Sequence, residues 1–242
     1  MEQTLLPYCG DTMATKDSFW VLNPATSSPL EMCPLPSIEQ IDQIIESARS
    51  AQPKWWQEGD TFRRKKLEAC ADRLEAHAED LATLLTKEQG KPLKDANREV
   101  KGAVHYFRTM AKTPIKDEVI TDTEKVHTKI TYKPLGVVAA ISAWNYPIAL
   151  AAWKIAPSLL TGNAVILKPS PDTPLSSLLL CKILGEVLPK GLVGIVTGHE
   201  KEGQHLVTHP HISKVSFTGS VGVGKLINQA ASSDLKRVTW RQ

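Results

Sequence analysis

Beyond Gly136 the chain alternates short apolar or β-branched runs with helical stretches, and this alternation constrains its fold more than any other feature. The runs are Val137–Ile141, Ala164–Leu167, Val193–Val196, Lys214–Phe217 and Arg237–Trp240, with Ser176–Leu188 and Val223–Ala231 among the helical stretches between them. Runs that are apolar throughout belong to strands buried on both faces. Strands separated by a helix-length segment have room to cross over and pair in parallel. The expected fold is α/β, a doubly wound parallel sheet over 135–242 that the chain leaves within its fifth strand.

Upstream, the period is helical. Ser37-Ile-Glu-Gln40 has the form of a capping box, and Ile38, Ile41, Ile44, Ile45 and Ala48 follow at helical spacing as far as Pro53. A second pattern starts at Thr61 with Leu67, Cys70 and Leu74, and a third carries Leu81, Leu84 and Leu85 to Gly90 and Pro92. A fourth runs from Pro92 through Ala96, Val100, Ala103, Val104, Phe107 and Met110. These stripes are read as core. Residues 1–112 are therefore an extended lead-in plus helices packing on the sheet. Lys125 to Tyr132 alternates polar with apolar residues, as a half-exposed strand does, within a connecting segment 113–134.

Composition excludes several classes. Lys and Arg total 29 against 26 Asp and Glu, and basic runs such as Arg63-Arg64-Lys65-Lys66-Leu67-Glu68 carry acidic neighbours. That run reads as a solvated helix face, and no nucleic-acid partner is expected. The most apolar stretch, Leu135 to Leu167, is broken by Asn145, Pro147, Lys154, Pro157 and Asn163, so no membrane span is expected. The first residues show no basic region followed by an apolar run, so no secretory signal is expected. Cys9, Cys33, Cys70 and Cys181 are dispersed, which fits a reducing cytoplasm and neither a disulfide framework nor a metal site. His205, His209 and His211 imitate ligand spacing, but no neighbouring Cys or carboxylate in the sequence completes the set, so they are read as surface residues and no metal is expected.

Three segments carry chemistry. Asn145 follows the first strand and precedes Pro147; it is either a turn residue satisfying its own backbone or an amide donor for a developing oxyanion. Lys168 leaves the second strand, where it is either a surface lysine or a partner for a nucleotide ribose or phosphate. Gly219-Ser220-Val221-Gly222-Val223-Gly224-Lys225 follows the fourth strand and matches G-x-x-x-x-G-K, but Leu226 replaces the hydroxyl residue of a P-loop. An NTPase loop, a structural turn and a dinucleotide loop are the three readings of this segment.

Taken in order, five segments resemble the aldehyde dehydrogenase family. They are Asn23-Pro24-Ala25-Thr26, Glu88-Gln89-Gly90-Lys91-Pro92, Ala143-Trp144-Asn145-Tyr146-Pro147, Leu167-Lys168-Pro169-Ser170 and Phe217-Thr218-Gly219-Ser220. The similarity extends from about Trp20 to Thr239.

The resemblance implies a Rossmann-like cofactor domain and NAD or NADP as cofactor. It makes Asn145 the oxyanion-hole side chain. Ser142, Ala143 and Trp144 would line the cofactor cleft, Lys168 and Ser170 would face the adenosine ribose, and Gly198, Phe217 and Thr218 would join them. Gly219, Ser220, Gly222 and Gly224 would approach the pyrophosphate. Residues 113–134 would be the β-arm through which family members form homo-oligomers.

The reaction implied is oxidation of a small-molecule aldehyde to a carboxylic acid, by cysteine attack, hydride transfer and hydrolysis. After Lys236-Arg237-Val238-Thr239 the family continues into L-E-L-G-G with its general-base Glu, whereas here Trp240-Arg241-Gln242 follow, and the nucleophilic Cys lies further on. The expectation is a cofactor-binding half, inactive alone. Pro171 stands where some NAD-specific members carry a ribose-binding Glu, leaving NAD and NADP both open. The competing readings are a non-catalytic nucleotide-binding or interaction module and, third, a P-loop NTPase.

Overall fold

The computed structural model describes residues 4–8 and 11–241, so Cys9 and Gln242 lie outside the described residues. The lead-in is two antiparallel ribbons rather than a single extended segment: β1 (Thr4–Tyr8) with β2 (Asp11–Thr15), and β3 (Asp17–Asn23) with β4 (Ser28–Leu35).

Four helices follow, α1 (Ile38–Gln57), α2 (Gly59–Ala76), α3 (Ala78–Gln89) and α4 (Leu93–Ala111). The capping box at Ser37 is present, its hydroxyl accepting from the Gln40 amide while the Gln40 side chain accepts from Ser37 N. Helix α1 continues through Pro53, where the sequence pattern stops. Tertiary bonds hold its last turn: Trp55 Nε1 donates to the Leu159 carbonyl at 2.8 Å and Gln52 Nε2 to that of Gly162 at 2.7 Å. These contacts override the local cost of a proline inside a helix.

The connecting segment forms a two-stranded ribbon, β5 (Glu118–Asp122) and β6 (His127–Ile130). Every residue of β6 is exposed, so the strand expected to be half-buried lies open on both faces.

The remainder alternates as the sequence predicts: β7 (Val137–Ile141), α5 (Pro147–Leu160), β8 (Ala164–Lys168), α6 (Leu175–Gly185), β9 (Val193–Ile195), α7 (Glu200–Thr208), β10 (Ile212–Thr218), α8 (Val221–Ser232) and β11 (Arg237–Arg241). The five strands of this part pair in parallel in the order β11-β10-β7-β8-β9. The chain thus builds outward from β7 through β8 to β9, then returns to the other side of β7 to add β10 and β11. That reversal places a topological switch point between β7 and β10, where the connections leave in opposite directions and a crevice opens at the carboxyl ends.

One buried cluster runs from Val21 of β3 to Ile227 of α8, so ribbons, helices and sheet share a core. Helix α5 is fastened at both ends by the upstream helices. Glu99 of α4 accepts from the amides of Ile148 and Ala149 at 2.9 and 3.1 Å. Arg63 of α2 donates to the Leu160 carbonyl at 2.9 Å. An anion at the N-terminus and a cation at the C-terminus both complement the helix dipole. Arg63 is only 2% exposed, so the basic run is not wholly a solvated face. The sequence expectation fails there because Arg63 serves a carbonyl of another helix.

Candidate functional site

The carboxyl ends of the parallel strands carry the sequence-predicted residues. After β7 come Ser142, Ala143, Trp144 and Asn145; after β8, Pro169 and Ser170; beyond β9, Gly198; after β10, Gly219 and Ser220. The first and last of these loops flank the switch point.

The Asn145 loop is built from upstream charge. Lys91 Nζ donates to the Asn145 carbonyl at 2.9 Å, pairs with Glu99, and lies 4.2 Å from the centre of the Tyr146 ring. Glu99 has no exposed side-chain surface, so this pair is fixed beneath the loop. The Asn145 Oδ1 accepts from Tyr146 N at 3.1 Å, as the turn reading requires. Its Nδ2 has no partner among the described residues and is left to donate, so both uses of the residue are compatible. Beside it lies a cleft of about 590 Å³ whose wall includes Trp144, Tyr146 and Trp153. The hydroxyl of Ser142, buried at the root of the loop, has no hydrogen-bond partner.

Lys168 is not a surface residue. It is 6% exposed, and its Nζ donates to the carbonyls of Gly198 at 2.8 Å and Pro169 at 3.3 Å. Burial pushes its ammonium down to about 8, against a smaller opposing pull from Glu202. Two of its three N–H donors are used and one remains. The Gly198 carbonyl can reach Lys168 because Gly198 has φ +121°, and a Cβ there would meet Glu202 and Leu35 at under 3 Å. Ser170 Oγ accepts from Asp172 N at 3.3 Å and lies 3.1 Å from its carboxylate, bracing the turn.

On the other side of the crevice, Phe217 is buried and Thr218 Oγ1 accepts from Lys154 Nζ at 2.8 Å. Only Gly219 and Ser220 separate β10 from α8, and the Ser220 hydroxyl caps the helix at Val223 N. Gly222, Gly224 and Lys225 are helical, so no loop is left to wrap a triphosphate and the P-loop reading fails. A Cβ at Gly222 would meet nothing within 4 Å, so the first turn of α8 is open to a ligand. Gly224 lies against Trp240, which makes it a packing glycine.

The E-x-G-K-P segment, named in the sequence only as a motif, has a physical account. Glu88 is 2% exposed, and its carboxylate caps α6 by accepting from Leu175 N at 2.7 Å, Ser176 N at 3.0 Å and the Ser176 hydroxyl. Burial holds its carboxyl up at about 7 despite those bonds. Gly90 ends α3 at φ +85°, 2.8 Å from Pro24 measured at a notional Cβ, so the motif and the Asn23-Pro24 turn touch. Glu88 and Lys91 stand out in the sequence only as members of a motif and Glu99 not at all; that these charges position the loops gives no periodic signal.

A second, larger cavity of about 1040 Å³ lies between α5 and the β10–β11 side of the sheet. Six cations line it, Lys116, Lys133, Lys154, Lys214, Arg237 and Arg241, and no carboxylate does. Burial, with Arg241 and Lys214 adding to it, pushes Lys154 down to about 8.

A doubly wound parallel sheet with aromatic, amide and lysine side chains at the carboxyl ends of its strands defines an α/β class of protein in which ligands are met at that edge. Residues 12–241 match the family model described as the aldehyde dehydrogenase family, and the chain belongs to that family. Aldehyde dehydrogenase LUC3 of a Fusarium species is 38% identical over 230 residues, covering 95% of this chain and 49% of that protein. A betaine aldehyde dehydrogenase of Staphylococcus aureus solved with NAD+ superimposes with a TM-score of 0.92 at 30% identity, over 98% of this chain and 50% of that one. An E. coli NADP-dependent enzyme gives a TM-score of 0.93 at 30% identity, over 99% and 51%. The chain spans about half the length of the relatives it matches. Among the described residues, no helix is long and apolar enough to cross a membrane.

Proposed function

We propose that this chain supplies the dinucleotide-binding part of an NAD(P)-dependent oxidation of an aldehyde to a carboxylic acid. The observation that carries the reading is that the carboxyl ends of three adjacent strands, β10, β7 and β8, are followed or ended respectively by an open helix N-terminus at Gly222, an unpartnered buried hydroxyl at Ser142 and the spare donor of Lys168. Together they fit a ligand that presents phosphate and ribose oxygens. NAD(P)+ accepts hydride when bound. Gly219, Ser220 and the first turn of α8 would face its phosphates, Lys168 and Ser170 a ribose, and Ser142, Ala143 and Trp144 the crevice between. Phe217 and Thr218 would form the crevice floor, with Gly198 setting the position of Lys168. Asn145, braced by Lys91 through its own carbonyl, would direct its Nδ2 toward an oxyanion. The cysteine nucleophile required by the family's chemistry is not supplied by Cys33, Cys70 or Cys181, all buried.

We divide the chain into an upstream layer over 1–112, an arm over 113–134 and a cofactor core over 135–242. The arm exposes Val119, Ile120, Val126, Ile130 and Tyr132, which supports pairing with a second copy. Cys33, Cys70 and Cys181 are buried thiols rather than members of a disulfide framework, which supports a reducing, cytoplasmic setting.

The test is titration with NADH, NADPH and Mg-ATP, followed by nicotinamide fluorescence and calorimetry. Saturable binding of a nicotinamide dinucleotide supports the reading and shows which form is preferred. Magnesium-dependent ATP binding without nicotinamide binding overturns it.

A further inference from the structure

The histidines set aside in the sequence for want of a partner have one. Asp42 of α1 lies 2.6 Å from His205 Nε2 and 3.5 Å from His209 Nε2, a contact between residues 163 positions apart in the His205 case. The sequence expectation failed because the carboxylate comes from a different helix. His205 lies in the last turn of α7 and His209 is its C-cap, an i, i+4 pair that presents both rings on one side. One donor atom from each of the three residues lies within 4.8 Å of the others.

We propose that Asp42, His205 and His209 form a divalent transition-metal site, best suited to zinc(II), that ties α1 to α7. Bonds of roughly 2.0–2.2 Å to imidazole nitrogen and carboxylate oxygen place neighbouring ligand atoms of a tetrahedron a little over 3 Å apart. The two Asp42 distances bracket that value, so small side-chain rotations complete the geometry. Two imidazoles with one carboxylate suit zinc in preference to magnesium or calcium, which favour all-oxygen shells. The side chains retain 47%, 27% and 13% exposure, which gives an ion and its water access. The surroundings are mixed. Glu46 on α1 is close enough to interact with His211, whereas the Lys236 ammonium sits on the His209 carbonyl at 2.8 Å and is balanced by Asp234 at 3.3 Å. His209 Nδ1 accepts from the His211 amide at 3.2 Å, so the metal-free ring carries its proton on Nε2 toward Asp42. Coordination at Nε2 moves that proton to Nδ1 and releases the exposed His211 amide to water, with no net proton change on the ring. The site lies away from the switch point and does not depend on dinucleotide binding.

The test uses the whole chain with Cys9→Ser, which removes a thiol outside the described residues. Zinc sulfate alone is titrated calorimetrically, cobalt(II) is followed by its visible d–d bands, and thermal unfolding is recorded with and without zinc. The expected result is one saturable equivalent and a zinc-dependent rise in Tm. In His205→Ala, His209→Ala and Asp42→Asn, affinity should fall by about tenfold or more, the scale on which zinc sites respond to lost partners. Zinc-free unfolding temperatures and circular dichroism identify any variant that misfolds, and His205→Gln provides a conservative replacement for it. Absence of saturable binding to the parent chain overturns the proposal, as does binding that keeps its affinity in folded variants.

Discussion

The Lys91 ammonium donates to the main-chain carbonyl of Asn145 at 2.9 Å, so a residue just after the third helix holds the turn that carries the candidate oxyanion donor. Lys91 is also the partner of Glu99, whose side chain is wholly buried. Replacement by Met leaves that carboxylate with its two amide donors but no countercharge. We expect Lys91→Met to lower stability by about 3 kcal/mol, the scale for breaking one side of a buried pair. Urea denaturation measures this, and a change within the noise of the parent curve would show that the amides alone satisfy Glu99.

Lys168→Ala is expected to weaken NADH binding by roughly 1–3 kcal/mol, the range for a charge-assisted hydrogen bond. The substitution also frees the carbonyls of Gly198 and Pro169, so circular dichroism and unfolding must accompany the fluorescence titration. Unchanged affinity in a folded variant would reduce Lys168 to a loop brace.

In a longer chain that carries the family's nucleophile, Asn145→Ala should lower turnover about 10²–10³-fold while leaving cofactor affinity near its parent value. Steady-state kinetics and dinucleotide titration separate the two effects. Equal losses in both would identify the Oδ1 contact with Tyr146 N, a structural one, as the function of the side chain.

Glu88 gives stability a pH dependence with a definite sign. Its carboxyl is raised from 4.5 to about 7 in the folded chain, chiefly by burial, so between these values the folded state binds the extra proton. The contribution is fully present below about 4.5 and is lost as pH rises through about 7. Glu88→Gln should therefore flatten the stability profile across that window, relative to the parent, with a difference on the order of 1–3 kcal/mol. Denaturant midpoints from pH 5 to 8 check it; parallel profiles would mean that the amide bonds hold the carboxyl ionised throughout.

The polypeptide of 242 residues should give no aldehyde-dependent NADH. Burial pushes the Cys70 thiol up to about 12 and raises Cys33 as well, and Cys181 is buried on α6. A thiol held neutral is a poor nucleophile. The assay compares the parent with a fourfold Cys→Ser variant, and activity lost in the variant would assign the chemistry to one of these cysteines.

The sheet was legible chiefly through β7, β8 and β9, which are buried on both faces and so leave uninterrupted apolar runs such as Ala164 to Leu167, whereas β11 is largely exposed. Gly90 was legible as a helix stop because its left-handed conformation is one that glycine adopts without strain. Pro53 misled because local cost was read without the bonds from Trp55 and Gln52 that outweigh it. The site's named residues were found through their order along the chain. Their supports were not, since Glu88, Arg63 and Glu99 each act on the end of a helix far away in sequence. A carboxylate in an amphipathic helix looks the same in sequence whether it faces water or caps a neighbour, and Asp42 was missed for that reason.

The sheet order also sets the lengths of chain that each strand pairing must close. Val137 of β7 pairs with Ala164 on one side and with Ile212 on the other, so one neighbour of the central strand is near in sequence and the other lies beyond β9 and α7. The Lys168 side of the crevice can consolidate while the Gly219–Ser220 side is still unstructured. Closing the second side spans a much longer loop and so carries the greater entropic barrier. The crevice is thus the seam between a short-loop and a long-loop half of the sheet, and Phe217 and Thr218 lie on the strand whose pairing with β7 closes the longer loop.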